Sequence, residues 1–347
     1  VYASAVFMDG THIKANANKK KSSNKIVEKQ GKQYQQELEE EINKDRENHG
    51  KKPLKKDDDD TPPPPETKNI KESTTDPESG LFHKGEHEKC FAYTANTVCD
   101  RNNFILGFSV GAGNIHDSRM FDDLYAKTIK KFTEIEVIAV DAGYKTPWIM
   151  KQIIDSNRIP AVPYKRPMTK VGFFKKYEYV YDEYYDCMIC PANKVLKYST
   201  TNRDGYREFK SDPQQCKGCE FLANCTHSKA QQKVVTRHVW ESYMELAEEY
   251  RHTPVYRDVY QMRGQTIERV FADAKEKHAM RYTQLRGLQK LKMQVTLTFA
   301  CMNLKKLATW KRRKGLLPTA IQYLYCKFAG FLEKITYDKQ KATLRTA

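Results

Sequence analysis

The chain has 347 residues, with 60 Lys and Arg against 44 Asp and Glu, giving a formal charge of +16; 39% of it is apolar and 30% charged. That length admits one large domain or two ordinary ones around a sizeable core, and 21 Tyr, 15 Phe and 3 Trp argue against a wholly disordered chain. No apolar run is long enough for a membrane span, and VYASAVFMDG lacks the layout of a secretory signal. Opening without Met inside strand-like text, the sequence reads as a fragment whose front end is missing.

Residues 1–18 read as a buried strand carrying an acid, Asp9, at its end. Residues 19–75 hold 14 basic and 13 acidic residues, the run KKDDDDTPPPPE and only seven apolar side chains. They read as a polar, disordered linker insertion in which KIVEKQGKQYQQELEEEINK forms a solvated helix. FAYTANTVCD and NFILGFSVGAG form a hairpin turned at Asp100-Arg101-Asn102-Asn103. A helix follows at DSRMFDDLYAKTIKKF, capped by Asp117 or Ser118; EVIAVDAGY is a strand buried on both faces and ending at Asp141. Thr146 and Pro147 start a further helix, and IPAVPYK is the next strand. The order is that of an α/β sheet flanked by helices. A Tyr- and Cys-rich insertion spans 166–235, and helical text follows from 236 to 310, with apolar positions at Val259, Met262, Ile267, Val270, Phe271 and Ala274. Residues 311–347 read as a basic C-terminal tail.

Positive charge is concentrated late: Lys275 to Gly315 holds 12 basic residues and one acid, Glu276. Such a face draws polyanions through counterion release, with a merely solvated helix as the competing reading. Five cysteines form Cys187-x2-Cys190 and Cys216-x2-Cys219-x5-Cys225. Tetrahedral Zn²⁺ takes four of the five, with His227 a competitor; Cys187, Cys190, Cys216 and Cys219 make the two-knuckle choice, and Cys225 is a substitute. Reduced thiols without metal are the alternative.

Asp9 and Asp141 stand at strand ends, where ligands of open α/β sheets gather. Glu268 lies on a helix able to pack beside them. Three carboxylates without a cation repel one another, and hard Mg²⁺ or Mn²⁺ takes such oxygens. Two ions about 3.5–4 Å apart serve phosphoryl transfer. Ordinary turns and a surface Glu explain each acid taken singly.

FMDGTHIKANAN around Asp9, GNIHDS at 113–118, VIAVDAGY around Asp141 and the segment Tyr260–Lys275 together resemble a DDE transposase of bacterial insertion sequences. The likeness is to the IS eleven-eighty-two branch, related to the IS-four and IS-five groups. Tyr260, Arg263, Glu268 and Lys275 match the family's Y-R-E-K signature, with four residues rather than three between Arg263 and Glu268. The resemblance implies a ribonuclease-H-like core built from 1–18, 76–165 and 236–310, with Asp9, Asp141 and Glu268 as catalytic residues and ligands of two Mg²⁺ or Mn²⁺ ions. It implies hydrolysis at transposon ends, then attack of the freed 3′-hydroxyl on target DNA. The implied partners are terminal inverted repeats and target DNA, bound by a homodimer in a bacterial, nucleoid-associated setting. Arg263, Lys275 and Tyr260 are the expected DNA contacts, joined by His116, which either touches DNA or positions a water. A DNA-binding remnant without catalysis, or a nuclease without strand transfer, are the competing readings.

Overall fold

The computed structural model describes residues 3–28, 34–54, 67–84, 88–166 and 168–315. In chain order the elements are β1 (Ala5–Lys14), β2 (Ser22–Glu28), α1 (Gln35–Asn48), β3 (Thr67–Ser73), β4 (Gly80–Lys84), β5 (Glu88–Asp100) and β6 (Ile105–Ala112). They continue as α2 (Phe121–Lys131), β7 (Val137–Ala139), α3 (Pro147–Asp155) and β8 (Ile159–Ala161). Next come β9 (Val180–Asp182), β10 (Cys187–Ile189), β11 (Val195–Thr201), β12 (Tyr206–Lys210), α4 (Pro213–Cys216), α5 (Leu222–Cys225) and β13 (Val234–His238). The last four are α6 (Glu241–Tyr250), α7 (Pro254–Gln261), α8 (Ile267–Lys277) and α9 (Leu288–Arg313).

The main sheet is mixed. β1 lies at its centre, antiparallel to β5 on one side and parallel to β7 on the other, with β8 parallel beyond β7. β6 and β4 share the far edge of β5, both antiparallel to it. Alternation along β1 sends Val6 and Met8 into one apolar layer, with Phe121, Leu124, Tyr144, Ile149 and Ile153. Ala5, Phe7 and Ile13 enter the opposite layer, with Ile267, Val270, Ala274, Leu291, Val295 and Phe299. Helices therefore cover both faces, which is why the first half of β1 is continuously apolar. The β5–β6 turn forms as its sequence dictates: Asp100 Oδ1 accepts from the Asn102 and Phe104 amides, and Asn103 takes φ +66°. Thr146 caps α3 by accepting from the Ile149 amide, with Pro147 at the first position.

A second antiparallel sheet, in the order β13-β12-β11-β10-β9, occupies the Cys-rich stretch around its own core of Tyr179, Met188, Leu196, Phe209 and Val235. β13 reaches His238, so this module runs a few residues past 235.

Three expectations are corrected. β1 does not end at Asp9 but runs on to Lys14, because Gly10 to Lys14 keep pairing with Asn96 to Ala92 of β5. The helix after β6 starts at Phe121 with no side-chain cap; a 3-10 turn, Asp117–Arg119, precedes it and is capped by His116. The stretch 19–75 is not wholly unstructured linker. β2 pairs with β3, and α1 buries Leu38 and Ile42 completely. Two apolar residues at i and i+4 suffice, because Tyr34 stacks on Trp148 (4.7 Å) and Asp45 takes an ion pair from Arg207 Nη2 at 2.6 Å. Residues 29–33 and 55–66 of this stretch, and 316–347 of the expected basic C-terminal tail, lie outside the described residues.

Candidate active site

Parallel pairing matches Ala5 with Val137 and Phe7 with Ala139, so Asp9 and Asp141 each follow the last pair by two residues at the same end of the strands, and the charge of Asp141 acts on Asp9. β7 has stopped by then, and the chain turns away at Asp141, whose Oδ1 accepts from the Gly143 amide at 2.7 Å. Asp9 Oδ1 accepts from the Gly10 amide at 2.8 Å, and Asp9 Oδ2 accepts from Arg263 Nη2 at 2.7 Å. Burial pushes the Asp9 carboxyl up to about 6; Arg263 pulls it down, while the charges of Asp141 and Asp117 add to the rise.

Asp117 is the acid that sequence reasoning passed over as an ordinary cap. Its carboxylate lies against Gly10: a Cβ there would stand 2.5 Å from both Asp117 Oδ1 and Asn96 Oδ1. Both oxygens are buried without a hydrogen-bond partner. Burial raises the Asp117 carboxyl, and Asp141 raises it further. Tyr144, fully buried with an unpartnered hydroxyl, feels the same trio: burial lifts it well above its ordinary value, followed by Asp117, Asp9 and Asp141. The available signal was steric, a glycine directly after the strand acid, opening a path for a side chain from the other face.

Glu268 stands apart from this trio. It is exposed on the first turn of α8, and its Oε2 is 3.8 Å from the Cβ position of Gly264. Its charge reaches Tyr260, whose hydroxyl is raised by burial and is then influenced by Arg263, Asp141, Asp9 and Glu268. Tyr260, stacked on Tyr256 at 5.2 Å, is therefore the side chain that feels all three predicted acids.

Arg263, one of the expected DNA contacts, donates to Asp9. It is 7% exposed, turned onto Asp9, with its guanidinium 5.8 Å from the Tyr260 ring centroid. The reason is a break: α7 ends at Gln261, a 3-10 turn covers Met262–Gln265, and Thr266 leaves helical geometry before α8 begins. Arg263 and Glu268 therefore do not lie on one continuous helix. Lys275 needs no such break and lies seven positions along α8. It lines a groove of about 300 Å³ with Gly10, Thr11, Lys14, Arg281 and Tyr282, which starts at the residue after Asp9. Lys14 joins this wall because its amide donates to Arg281 O at 3.0 Å and its carbonyl accepts from the Thr283 amide at 2.9 Å. His116 is exposed and spends its Nδ1 on Ser118, accepting from the amide at 3.3 Å and lying 2.8 Å from Oγ.

Among the cysteines, Cys190, Cys216, Cys219 and Cys225 line one small cavity, while Cys187 is buried within β10 near Asp182 and Asp186. Cys190 Sγ accepts from the Lys194 amide at 3.3 Å, Asn193 takes φ +54° and Gly218 φ +83°, giving each of the two Cys turns a left-handed residue. His227 packs edge-on against Phe173 at 4.7 Å. No group of three or more His, Cys, Asp or Glu among the described residues is gathered closely enough to hold a metal ion. The donor types nevertheless fit. The first site offers carboxylates, one of them buried and unpartnered, with the Arg263 cation already lying on Asp9; the second offers four thiols around one cavity.

Carboxylates that raise one another, with an arginine already lying on one of them, mark a candidate functional site. Residues 189–308, about a third of the chain, match the family model described as a transposase DDE domain. The match supports a DDE transposase family, a nuclease or transposase in general terms, with DNA as its substrate. It takes in Tyr260, Arg263, Glu268, Lys275 and the four cavity cysteines but stops short of Asp9 and Asp141. No curated protein and no solved structure matches the chain. No helix of the described residues is long and apolar enough to cross a membrane.

Proposed function

We propose that the chain is the catalytic core of a DDE transposase, cutting DNA at insertion-sequence ends and joining the freed 3′-hydroxyl to target DNA. The observation that carries this reading is the gathering of Asp9, Asp141 and Asp117, whose charges raise one another, with Asp117 against Gly10 and the charge of Glu268 reaching Tyr260 beside them. The strand order, three antiparallel strands followed by two parallel ones around β1, supports a ribonuclease-H-like core. Asp9, Asp141 and Glu268 would hold Mg²⁺ or Mn²⁺, which when bound neutralises charge building at phosphorus and activates the attacking oxygen. Arg263 is the resident cation on Asp9 until then. Lys14, Lys275 and Arg281 hold the scissile strand by its phosphates beside Asp9, and Tyr260 forms an aromatic wall over the acids. Cys190, Cys216, Cys219 and Cys225 would hold a structural Zn²⁺, and the pairing of two DNA ends calls for a dimer on DNA.

Precleaved terminal-repeat DNA, incubated with Mn²⁺ and a target duplex, tests the reading. Joined product from the parent chain, lost in Asp141→Asn, is the expected result. Cleavage without joining would reduce the protein to a nuclease, and binding alone would remove the catalytic reading.

A further inference from the structure

The basic excess of the last helices is not all directed at the acids. On α8, Lys275 is seven positions from Glu268 and shares its side of the helix, whereas Arg269, Asp273 and Lys277 fall about 100–180° around the axis. That second side faces α9 and the β5–β6 turn across a groove of about 540 Å³. Its cations are Arg269, Lys277, Lys305, Lys306 and Arg313, and its single carboxylate, Asp273, is taken by Lys277 at 2.7 Å. Among the described residues, Arg269, Lys305, Lys306 and Arg313 have no carboxylate at ion-pair distance. Lys306 is half-buried between them; burial lowers its ammonium, and Arg269 adds to the lowering against the pull of Asp273. Among the described residues, Asp273 is the one carboxylate lining the groove against these five cations.

The geometry points to a second nucleic-acid site, separate from the reacting phosphate: the α8–α9 groove binds the backbone of duplex DNA. The spacing favours a polymer over a small anion. Lys305 and Arg313 are eight positions apart, roughly 12 Å along the helix, which is the rise of three or four phosphates of one strand. Trp310, 44% exposed on the same stretch of α9, gives the groove an aromatic edge. With the Lys14–Lys275–Arg281 groove on the other side of α8, the helix bearing Glu268 becomes a ridge between two DNA-binding surfaces. The choice of DNA rests on the transposase reading above.

The test is the salt dependence of binding to a short labelled duplex of arbitrary sequence, in chelator, so that no cleavage enters. Each phosphate contact contributes about 0.9 to the slope of log affinity against log salt. Lys305→Gln/Lys306→Gln/Arg313→Gln is expected to flatten the slope by roughly 2–3, with the melting temperature held. Lys305→Gln/Arg313→Gln, which leaves half-buried Lys306 in place, is expected to flatten it by about 2 and keeps the test decisive if the triple variant misfolds. Lys127→Gln/Lys130→Gln on α2 is the control and should leave the slope unchanged. An unaltered slope in the groove variants, an equal loss in the α2 control, or stronger competition by RNA than by duplex DNA overturns the assignment. An unaltered slope alongside Asp141-dependent strand transfer removes this site alone. A flattened slope in a chain that never cleaves removes the transposase reading alone.

Discussion

At the scale of single residues the site is defined by a carboxyl group held near pH 6 in a place built to be negative. Asp9 rises from 3.8 to about 6 chiefly through burial, helped by Asp141 and Asp117, and opposed by Arg263 and the Gly10 amide. Over that window the folded chain keeps a proton that the unfolded chain has released, so stability falls as pH rises from about 4 to 6 and stays at the lower level above it. A divalent cation competes with that proton. Mn²⁺ is therefore expected to raise the melting temperature more at pH 7.5 than at pH 5, and Asp9→Asn should abolish the difference; equal shifts at both pH values would refute the account. Gly10 carries a second prediction. Gly10→Ala forces Asp117 and Asn96 away from a Cβ that would sit 2.5 Å from each, at a cost of about 1–3 kcal/mol. Asp117→Ala on top of it should recover part of the lost stability in a denaturant titration, which a purely backbone effect would not allow. Asp9 and Asp141 were legible in sequence because each follows an apolar strand and precedes glycine or alanine. Asp117 was not, since its placement depends on a contact through the opposite face of β1 that no local pattern encodes.

At the scale of elements, periodicity read well where one helix faces one layer. Ile267, Val270, Phe271 and Ala274 bury as their spacing requires. It failed where chain breaks and distant partners decide. The 3-10 turn at Met262–Gln265 redirects Arg263, and α1 looks solvated by composition yet has Leu38 and Ile42 fully buried under Tyr34, Trp148 and Trp240. Leu38→Ala should cost about 2–5 kcal/mol, a penalty that no solvated linker helix would show. The Cys-rich sheet yields a prediction of its own. Its apolar core rests on five main side chains, so a metal has stability to contribute there. Purified in reducing buffer, the chain is expected to carry one equivalent of zinc. Cys216→Ser should lose it and Cys187→Ser should keep it, because Cys187 lies away from the cavity shared by the other four. Retention after both changes would refute that ligand set.

At the scale of the whole molecule, α1 joins the two sheets, together with α6, whose Glu245 pairs with Arg237 of β13. The apolar side of α1 enters the layer beneath β1 and β7, while Leu38 Cδ1 presses on the β11–β12 turn, 2.8 Å from the Cβ position of Gly205. Its C-terminal end is fixed to the second sheet by Asp45, whose carboxylate accepts from Arg207 and Thr201 Oγ1. The His49 ring continues the contact, stacking on Tyr198 at 3.6 Å and pairing with Asp186. Asp45 is almost fully buried, so removing Arg207 strands a charge in the seam rather than deleting a surface pair. Arg207→Ala is expected to destabilise the chain by on the order of 3 kcal/mol. It should also split the melting curve, since that side chain ties the Cys-rich sheet to the helix rooted in the layer beneath β1. The parent chain should melt in one cooperative transition seen alike by near-ultraviolet signal from the tryptophans and by zinc release. Two separate transitions in the parent, or a single undivided one in Arg207→Ala, would show that the sheets are coupled by contacts other than α1. In that case the segment between Asp9 and the rest of the core would return to the role of a tether.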